Sequence, residues 1–334
     1  MTEKAKRPRL MVLLGAGASA HAKAPSTKEI TDMVSRVNRP IVKRIVKDLT
    51  KNKKEGAFNF ETVIAILEGL QEYLTPSWVR GGDSQWTLDH FTNIKCIYRK
   101  VTHVDIFRER FDLLRDIFSC FIDRMPENLD KSSMPIRRFI ESLRSQFDLT
   151  ILTLNYDDLI DHAGPWFDGF RPDLDRSDYS VFEPGRFVDR VRSEGNVLLH
   201  LHGSVRFGRV ASGIVKYRTP QDAFDSLNGG ARSPQWAAPI ISGYQKERWL
   251  RLYAAPLGHY YRAFMDAAVT TPLWLIAGYG GNDQHVNTWV TESRRIHGER
   301  ARVVVVNQGS GCVNRLFGYI RISPPLKPSD SLAS

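Results

Sequence analysis

Cysteine is scarce in this chain. There are three in 334 residues, Cys96, Cys120 and Cys312, odd in number and far apart. No Cys-x-x-Cys pair occurs, which disfavours both a disulfide framework and a zinc ribbon. No apolar run approaches the ~20 residues that a membrane-spanning helix requires. The basic start, Met1 to Arg9, lacks the longer apolar region and cleavage site of a secretory signal. The expectation is a cytoplasmic protein with no membrane partner. Internal repeats and low-complexity tracts are absent, as are helix-turn-helix, RNA-recognition and zinc-finger patterns. The formal net charge of +10 therefore reads first as a solvated tail (Lys4, Lys6, Arg7, Arg9) and an exposed helix face between Arg36 and Lys54. Direct nucleic-acid binding is the less favoured reading.

What is present is an ordinary globular composition, 42% hydrophobic and 25% charged, in a chain long enough for one large domain or two moderate ones. Strand-like runs occur at 10–14, 149–154, 196–201, 238–242, 273–277 and 302–306. Their Val, Ile and Leu content suits strands buried on both faces of a largely parallel sheet. The fold class is α/β, Rossmann-like, with a large, mostly helical insertion as a second layer. The helical patterns lie at Thr27–Val37, Phe60–Leu74, Val104–Met125 and Pro135–Phe147. Ser26, with Glu29 three residues on, predicts a capped helix entry after Pro25. Pro40, Pro76, Gly81-Gly82, Pro126 and Pro135 punctuate the region. The expected organisation is a single domain over 1–330. Segments 10–25 and 149–322 form the Rossmann-like part, 26–148 the helical insertion, and 323–334 a tail.

The first strand runs into Gly15-Ala16-Gly17-Ala18-Ser19. Gly15, Gly17 and Ala20 fit the relaxed spacing of a dinucleotide-binding turn, where glycines admit a pyrophosphate and a following helix offers its N–H groups. A nicotinamide dehydrogenase would place a second strand and an acidic residue about 20 residues on. Here the chain reads Ser35-Arg36-Val37-Asn38-Arg39-Pro40, so that plan loses ground. The second strand ends in Thr153-Leu154-Asn155-Tyr156-Asp157, where an amide and a carboxylate stand at the ligand end of the sheet. Helix capping is the other reading of Asn155 and Asp157. The third strand ends in His200-Leu201-His202-Gly203. Period-two geometry predicts both histidines on one face, and His202 beside glycine suits a general base. A structural or metal-binding pair is the alternative, but no third ligand stands nearby in sequence, so no metal is expected. Gly278-Tyr279-Gly280-Gly281-Asn282-Asp283 repeats the strand-then-glycine pattern, with Asp283 a helix cap. Asn307 ends the last strand, where a turn is its plainer role.

Taken in order, these segments resemble the sirtuin-like superfamily, specifically its prokaryotic branch of NAD-consuming defence proteins. Gly15-Ala16-Gly17-Ala18-Ser19 with Pro25 looks like the family's first NAD loop. Thr153-x-Asn155-x-Asp157 and His202-Gly203 match its Thr-x-Asn-x-Asp and catalytic His-Gly motifs. Gly278 to Asp283 and Val303 to Asn307 resemble the segments holding ribose and adenine, and Phe58-Asn59-Phe60-Glu61 resembles a stretch common in the branch. Histone-deacetylating sirtuins carry a four-cysteine zinc ribbon, and their first loop continues Pro-Asp-Phe-Arg. This chain has no ribbon and reads Pro25-Ser26-Thr27-Lys28.

The resemblance implies an NAD+ glycohydrolase releasing nicotinamide and ADP-ribose, with NAD+ as substrate and no zinc. Asn155, Asp157 and His202 are its implied catalytic residues. Gly15, Ala16, Gly17, Ser19, Pro25, Thr153, Gly278, Tyr279, Gly280, Asp283 and Asn307 are its implied NAD-binding residues. The implied setting is a regulated, NAD-depleting effector of anti-phage defence, homo-oligomeric, with a separately encoded partner such as a HerA-type ATPase. The chain ends just after the last strand, which favours that separate partner over a fused sensor. An NAD-dependent protein deacylase, and a catalytically silent NAD-binding or DNA-associated subunit, are the alternatives.

Overall fold

The computed structural model describes residues 7–51, 59–74, 101–124, 135–173, 178–210, 213–229 and 254–307. The expected strand at 238–242 lies outside them, as do Phe58, Cys96, Cys312, the 308–322 segment and the 323–334 tail. Among the described residues no helix is long and apolar enough to cross a membrane.

Five of the expected strands form one parallel sheet. They are β1 (Arg9–Leu14), β2 (Asp148–Thr153), β5 (Asn196–His200), β8 (Leu273–Ala277) and β9 (Arg302–Val306), in the order β5-β2-β1-β8-β9. Alternate residues of β1 face opposite layers, as the pleat requires. Leu10, Val12 and Leu14 pack with Ile136 and Ile140 of a helix at Pro135–Gln146. Met11 and Leu13 share a core with Phe264, Val286 and Val290, from helices at His259–Thr270 and Gln284–His297. Covered on both faces, these strands read as continuous apolar runs.

The helical insertion divides. Thr27–Arg36 (α1), Pro40–Lys51 (α2), Phe60–Leu74 (α3) and His103–Arg124 (α4) share a separate core, with Ile30, Ile45, Leu67 and Phe118 at its centre. That core includes Tyr156 and Val205, so the four helices sit over the C-terminal ends of the strands. The Pro135–Gln146 helix (α5) belongs to the sheet's own flank instead. The predicted cap is present. The Ser26 backbone N–H donates to Glu29 Oε2 at 2.8 Å, and the Glu29 N–H donates to Ser26 Oγ at 3.2 Å.

A second sheet lies outside the expected strands. Strands β3 (Phe170–Pro172), β4 (Tyr179–Phe182), β6 (Phe207–Val210) and β7 (Gly213–Tyr217) pair antiparallel in the order β3-β4-β7-β6. A buried ionic cluster joins it to the parallel sheet. Lys216 of β7 lies 2.5 Å from both Asp161 and Asp168, and His200 at the end of β5 lies 3.1 Å from Asp161. Burial alone would raise the Asp161 pKa, but Lys216, His200 and Arg206 together hold it well below the usual carboxylate range.

Candidate functional site

The strand order reverses between β1 and β8, since β2 and β5 lie on one side and β9 on the other. A crevice forms at such a switch point, outside the carboxyl ends of the strands. Its centre is made by the two glycine turns packed backbone against backbone. The Gly15 N–H donates to the Ala277 carbonyl at 3.0 Å and the Gly17 N–H to the Gly278 carbonyl at 2.9 Å. Gly278 has φ +62, and a Cβ there would stand 2.1 Å from the Ala18 nitrogen. These glycines are thus required by each other. The amides of Gly15, Gly17 and Ala18 are all engaged within the two turns, so they do not form the expected anion-directed N–H array. The chain continues as a 3₁₀ turn, Ala16–Ala22, rather than as an α-helix.

Asn155 and Asp157 follow β2 and are both buried. Asn155 Nδ2 donates to the Gly15 carbonyl at 3.1 Å and to Ser19 Oγ at 2.9 Å. Both amide hydrogens are thereby committed, which leaves the Asn155 carbonyl oxygen as its acceptor for a ligand. Thr153 does not line the cleft; its Oγ1 accepts from the Asn155 N–H at 3.2 Å and sets that residue's backbone. Asp157 accepts the Leu159 N–H at 3.2 Å, an Asx turn rather than an α-helix cap, because a turn and a short 3₁₀ helix (Asp161–Ala163) follow. Burial pushes the Asp157 carboxyl up to about 6, against the opposing bonds from Ser19 and Leu159.

The two histidines at the end of β5 part company. β5 ends at His200, so the period-two rule stops there. His200 is enclosed beside Asp161 and the Phe207 ring, whereas His202 lines the cleft. The His202 Nε2 lies 3.1 Å from His285 Nε2 and 3.7 Å from Asp283 Oδ1. Third groups therefore do surround His202. They were hidden because they arrive from a segment about 80 residues away in sequence. Asp283 occupies the N-cap position of the Gln284–His297 helix, but its side chain makes no capping bond; the carboxylate faces His202 instead.

The opposite wall is helical. Asn59 to Thr62, Ala65 and Ile66 of α3 and its entry, with Phe121 of α4, close the cleft across from the strand ends. Tyr156 clamps this wall to β2. Phe60 and Phe121 meet its ring edge-on, at centroid distances of 6.5 Å and 6.0 Å, and its hydroxyl donates to Glu61 at 3.3 Å. Burial, with Glu61 nearby, pushes the Tyr156 phenol well above its ordinary pKa.

The cleft has a volume of about 1580 Å³. Gly15, Ala16, Gly17, Ser19, Pro25, Asn155, Asp157, His202, Gly278, Tyr279, Gly280, Asp283 and Asn307 all line it. Asn307 also donates to the Tyr279 carbonyl at 2.7 Å, tying the end of β9 to the second glycine turn. His285, Asn282 and Gln284 line the cleft too and were not singled out from sequence. Their signal was adjacency to the second glycine turn, followed by the first turn of a helix.

Residues 149–316, half of the chain, match the sequence model of a family described as SIR2-like domain. No curated protein matches the chain. Among solved structures, a Sir2 homologue in complex with NAD is similar at 12% identity and a TM-score of 0.38, over 90% of this chain and 78% of that one. A structure described by the structural basis of sirtuin substrate affinity is similar at 13% identity and a TM-score of 0.40, over 91% and 84%.

Proposed function

The chain belongs to the SIR2-like domain family, and from that premise we propose that it is an NAD+ hydrolase. The observation that carries the reading is convergence. Asn155, Asp157 and His202, from the ends of two strands, meet two glycine turns in one cleft at the switch point. Its volume of about 1580 Å³ exceeds the roughly 300–1,000 Å³ usual for small-molecule pockets and suits an extended dinucleotide.

In the proposed reaction the C1′–N bond to nicotinamide breaks and a C1′–O bond to water forms, giving nicotinamide, ADP-ribose and a proton. The transition state is oxocarbenium-like, as in glycoside hydrolysis. His202 takes the proton from water, or from a ribose hydroxyl that polarises the centre. The Asn155 carbonyl oxygen holds the attacking water or the ribose, its orientation fixed by Gly15 and Ser19. Asp157 binds the carboxamide or a ribose hydroxyl. The helices α3 and α4 exclude bulk water. They also favour water over an acylated peptide as acceptor, because this chain's own side chains fill the wall facing the strand ends.

Incubation with NAD+ alone, followed by quantifying nicotinamide and ADP-ribose, tests this. Asn155→Ala and His202→Ala are each expected to cut turnover ~10²–10⁴-fold, the range for positioned acid–base groups, with unchanged circular dichroism. Wild-type rates in both variants overturn the assignment. Nicotinamide release only with an acylated peptide marks a deacylase, and NAD+ binding without turnover, with or without an activating partner, a silent subunit. By family resemblance the activity serves as a regulated NAD-depleting effector in anti-phage defence, in a homo-oligomer gated by a HerA-type ATPase. The same assay with that ATPase added tests the gating.

A further inference from the structure

We infer that His202, Asp283 and His285 form a binding site for a single divalent transition metal of the zinc class on the floor of the cleft. Their donor atoms all lie within 4.8 Å of one another. A tetrahedral zinc ion sits about 2.0–2.2 Å from nitrogen or oxygen ligands, which sets neighbouring donors about 3.3 Å apart. The observed separations, 3.1 Å between the two Nε2 atoms and 3.7 Å from His202 Nε2 to Asp283 Oδ1, bracket that spacing. Two neutral imidazoles and one carboxylate are also a chemically apt set, the one used with an open fourth position in zinc hydrolases. Here the open side faces the cleft, because all three residues line it.

The donors are held before any ion arrives. His202 lies in the tight turn closed by Gly203, at φ +90. The 283–285 segment is locked by Tyr279, whose hydroxyl accepts the Asp283 N–H at 2.9 Å and donates to Asn287 Oδ1 at 2.9 Å. Asn287 in turn donates to the Gly281 carbonyl at 2.9 Å. His202 and His285 are nearly fully buried, so little ordering remains to oppose binding.

One consequence rests on the hydrolase reading above. A metal on His202 Nε2 removes the lone pair that the reaction uses as base, so metal occupancy and NAD+ hydrolysis exclude each other. Zinc then acts as a brake that a chelator releases.

The test titrates the purified full chain with Co²⁺ and Zn²⁺, without NAD+. The Co²⁺ visible absorption and calorimetry report geometry and stoichiometry. One ion per chain is expected, with the absorption of a low-coordinate site, and Mg²⁺ does not compete. His285→Ala, His202→Ala and Asp283→Asn each weaken binding by roughly 100-fold or more, since even outer-shell partners cost roughly 10–100-fold. His103→Ala, outside the cleft, retains it. His285→Gln, which keeps the side chain's bulk, serves if the alanine variant does not fold. No stoichiometric binding, or binding that survives all three substitutions, overturns the site and leaves a hydrogen-bonded histidine pair. NAD+ turnover that ignores Zn²⁺ in a chain without the Co²⁺ signal sinks this inference alone. A His285-dependent Co²⁺ signal in a chain that stays inactive on NAD+ after the metal is chelated away and the HerA-type ATPase is added sinks the hydrolase reading alone.

Discussion

Asp157 shows how a residue at the centre of the cleft trades stability for chemistry. Its carboxyl is pushed up to about 6 from the usual 3.8. The folded chain therefore binds a proton that the unfolded chain has released between those two values. Stability from this group is greatest below the unfolded pKa and falls as pH rises through the folded one. At neutral pH the cost is on the order of 3 kcal/mol. Asp157→Asn keeps an acceptor for the Leu159 N–H without a buried charge. Its melting temperature is expected to exceed that of the wild type at pH 7.5, with the gain vanishing near pH 4, while NAD+ turnover drops. Thermal melts at the two pH values decide it. A variant less stable at pH 7.5 shows that burial does not dominate. The sequence placed Asn155, Asp157 and His202 in one cleft because each directly follows an apolar strand. It could not place His285 beside His202, since that contact depends on how the turn after β5 and the start of the Gln284–His297 helix meet in space.

At the scale of elements, the two glycine turns are a single structural unit. The first turn's glycines were expected to admit a phosphate, and the structure gives a nearer reason. An added Cβ on Gly17 would come 2.8 Å from Gly278 Cα, and one on Gly278 would strike the Ala18 nitrogen at 2.1 Å with φ at +62. Gly278→Ala is expected to cost about 2–5 kcal/mol, from left-handed backbone strain plus overpacking. Gly69 is the contrasting case. It lies within α3 with no atom within 4 Å of its would-be Cβ. Gly69→Ala is expected to stabilise by about 0.5–1 kcal/mol. Urea unfolding of both variants measures the difference, and equal midpoints refute the account. Long periodic elements were legible in the sequence: α1, α3, α4, α5 and five parallel strands stand within a residue or two of the expected bounds. The antiparallel sheet was not, because its strands span 3–5 residues. Runs that short, partly exposed as in Phe170–Pro172, show no period distinguishable from a loop.

The described residues form three packed bodies: the flanked parallel sheet and the α1–α4 layer, which line the cleft between them, and the small antiparallel sheet. Apolar contact and Tyr156 join the first two. The third meets the first through the apolar packing of Phe182 and Phe207 and through charge, with Lys216 of β7 bridging Asp161 and Asp168. Burial would lower the Lys216 pKa, but the two carboxylates raise it overall. The depressed Asp161 pKa contributes stability that is present above the unfolded carboxylate value and lost as pH falls through the folded one. Removing one partner of a buried pair strands the other, at roughly 3–5 kcal/mol. Lys216→Met leaves Asp161 with only Arg206 and His200 beside it, so burial raises its pKa. The pH dependence of this contribution then changes. In the wild type it holds down to about pH 4 and is lost below, whereas Lys216→Met recovers part of its deficit between about pH 7 and pH 4 as the stranded Asp161 carboxyl takes up a proton. Denaturant midpoints of both proteins across that range measure the narrowing gap. Parallel pH profiles would show that Asp161 and Asp168 are solvated, and that the small sheet is held by its aromatic packing on Phe182 and Phe207 alone.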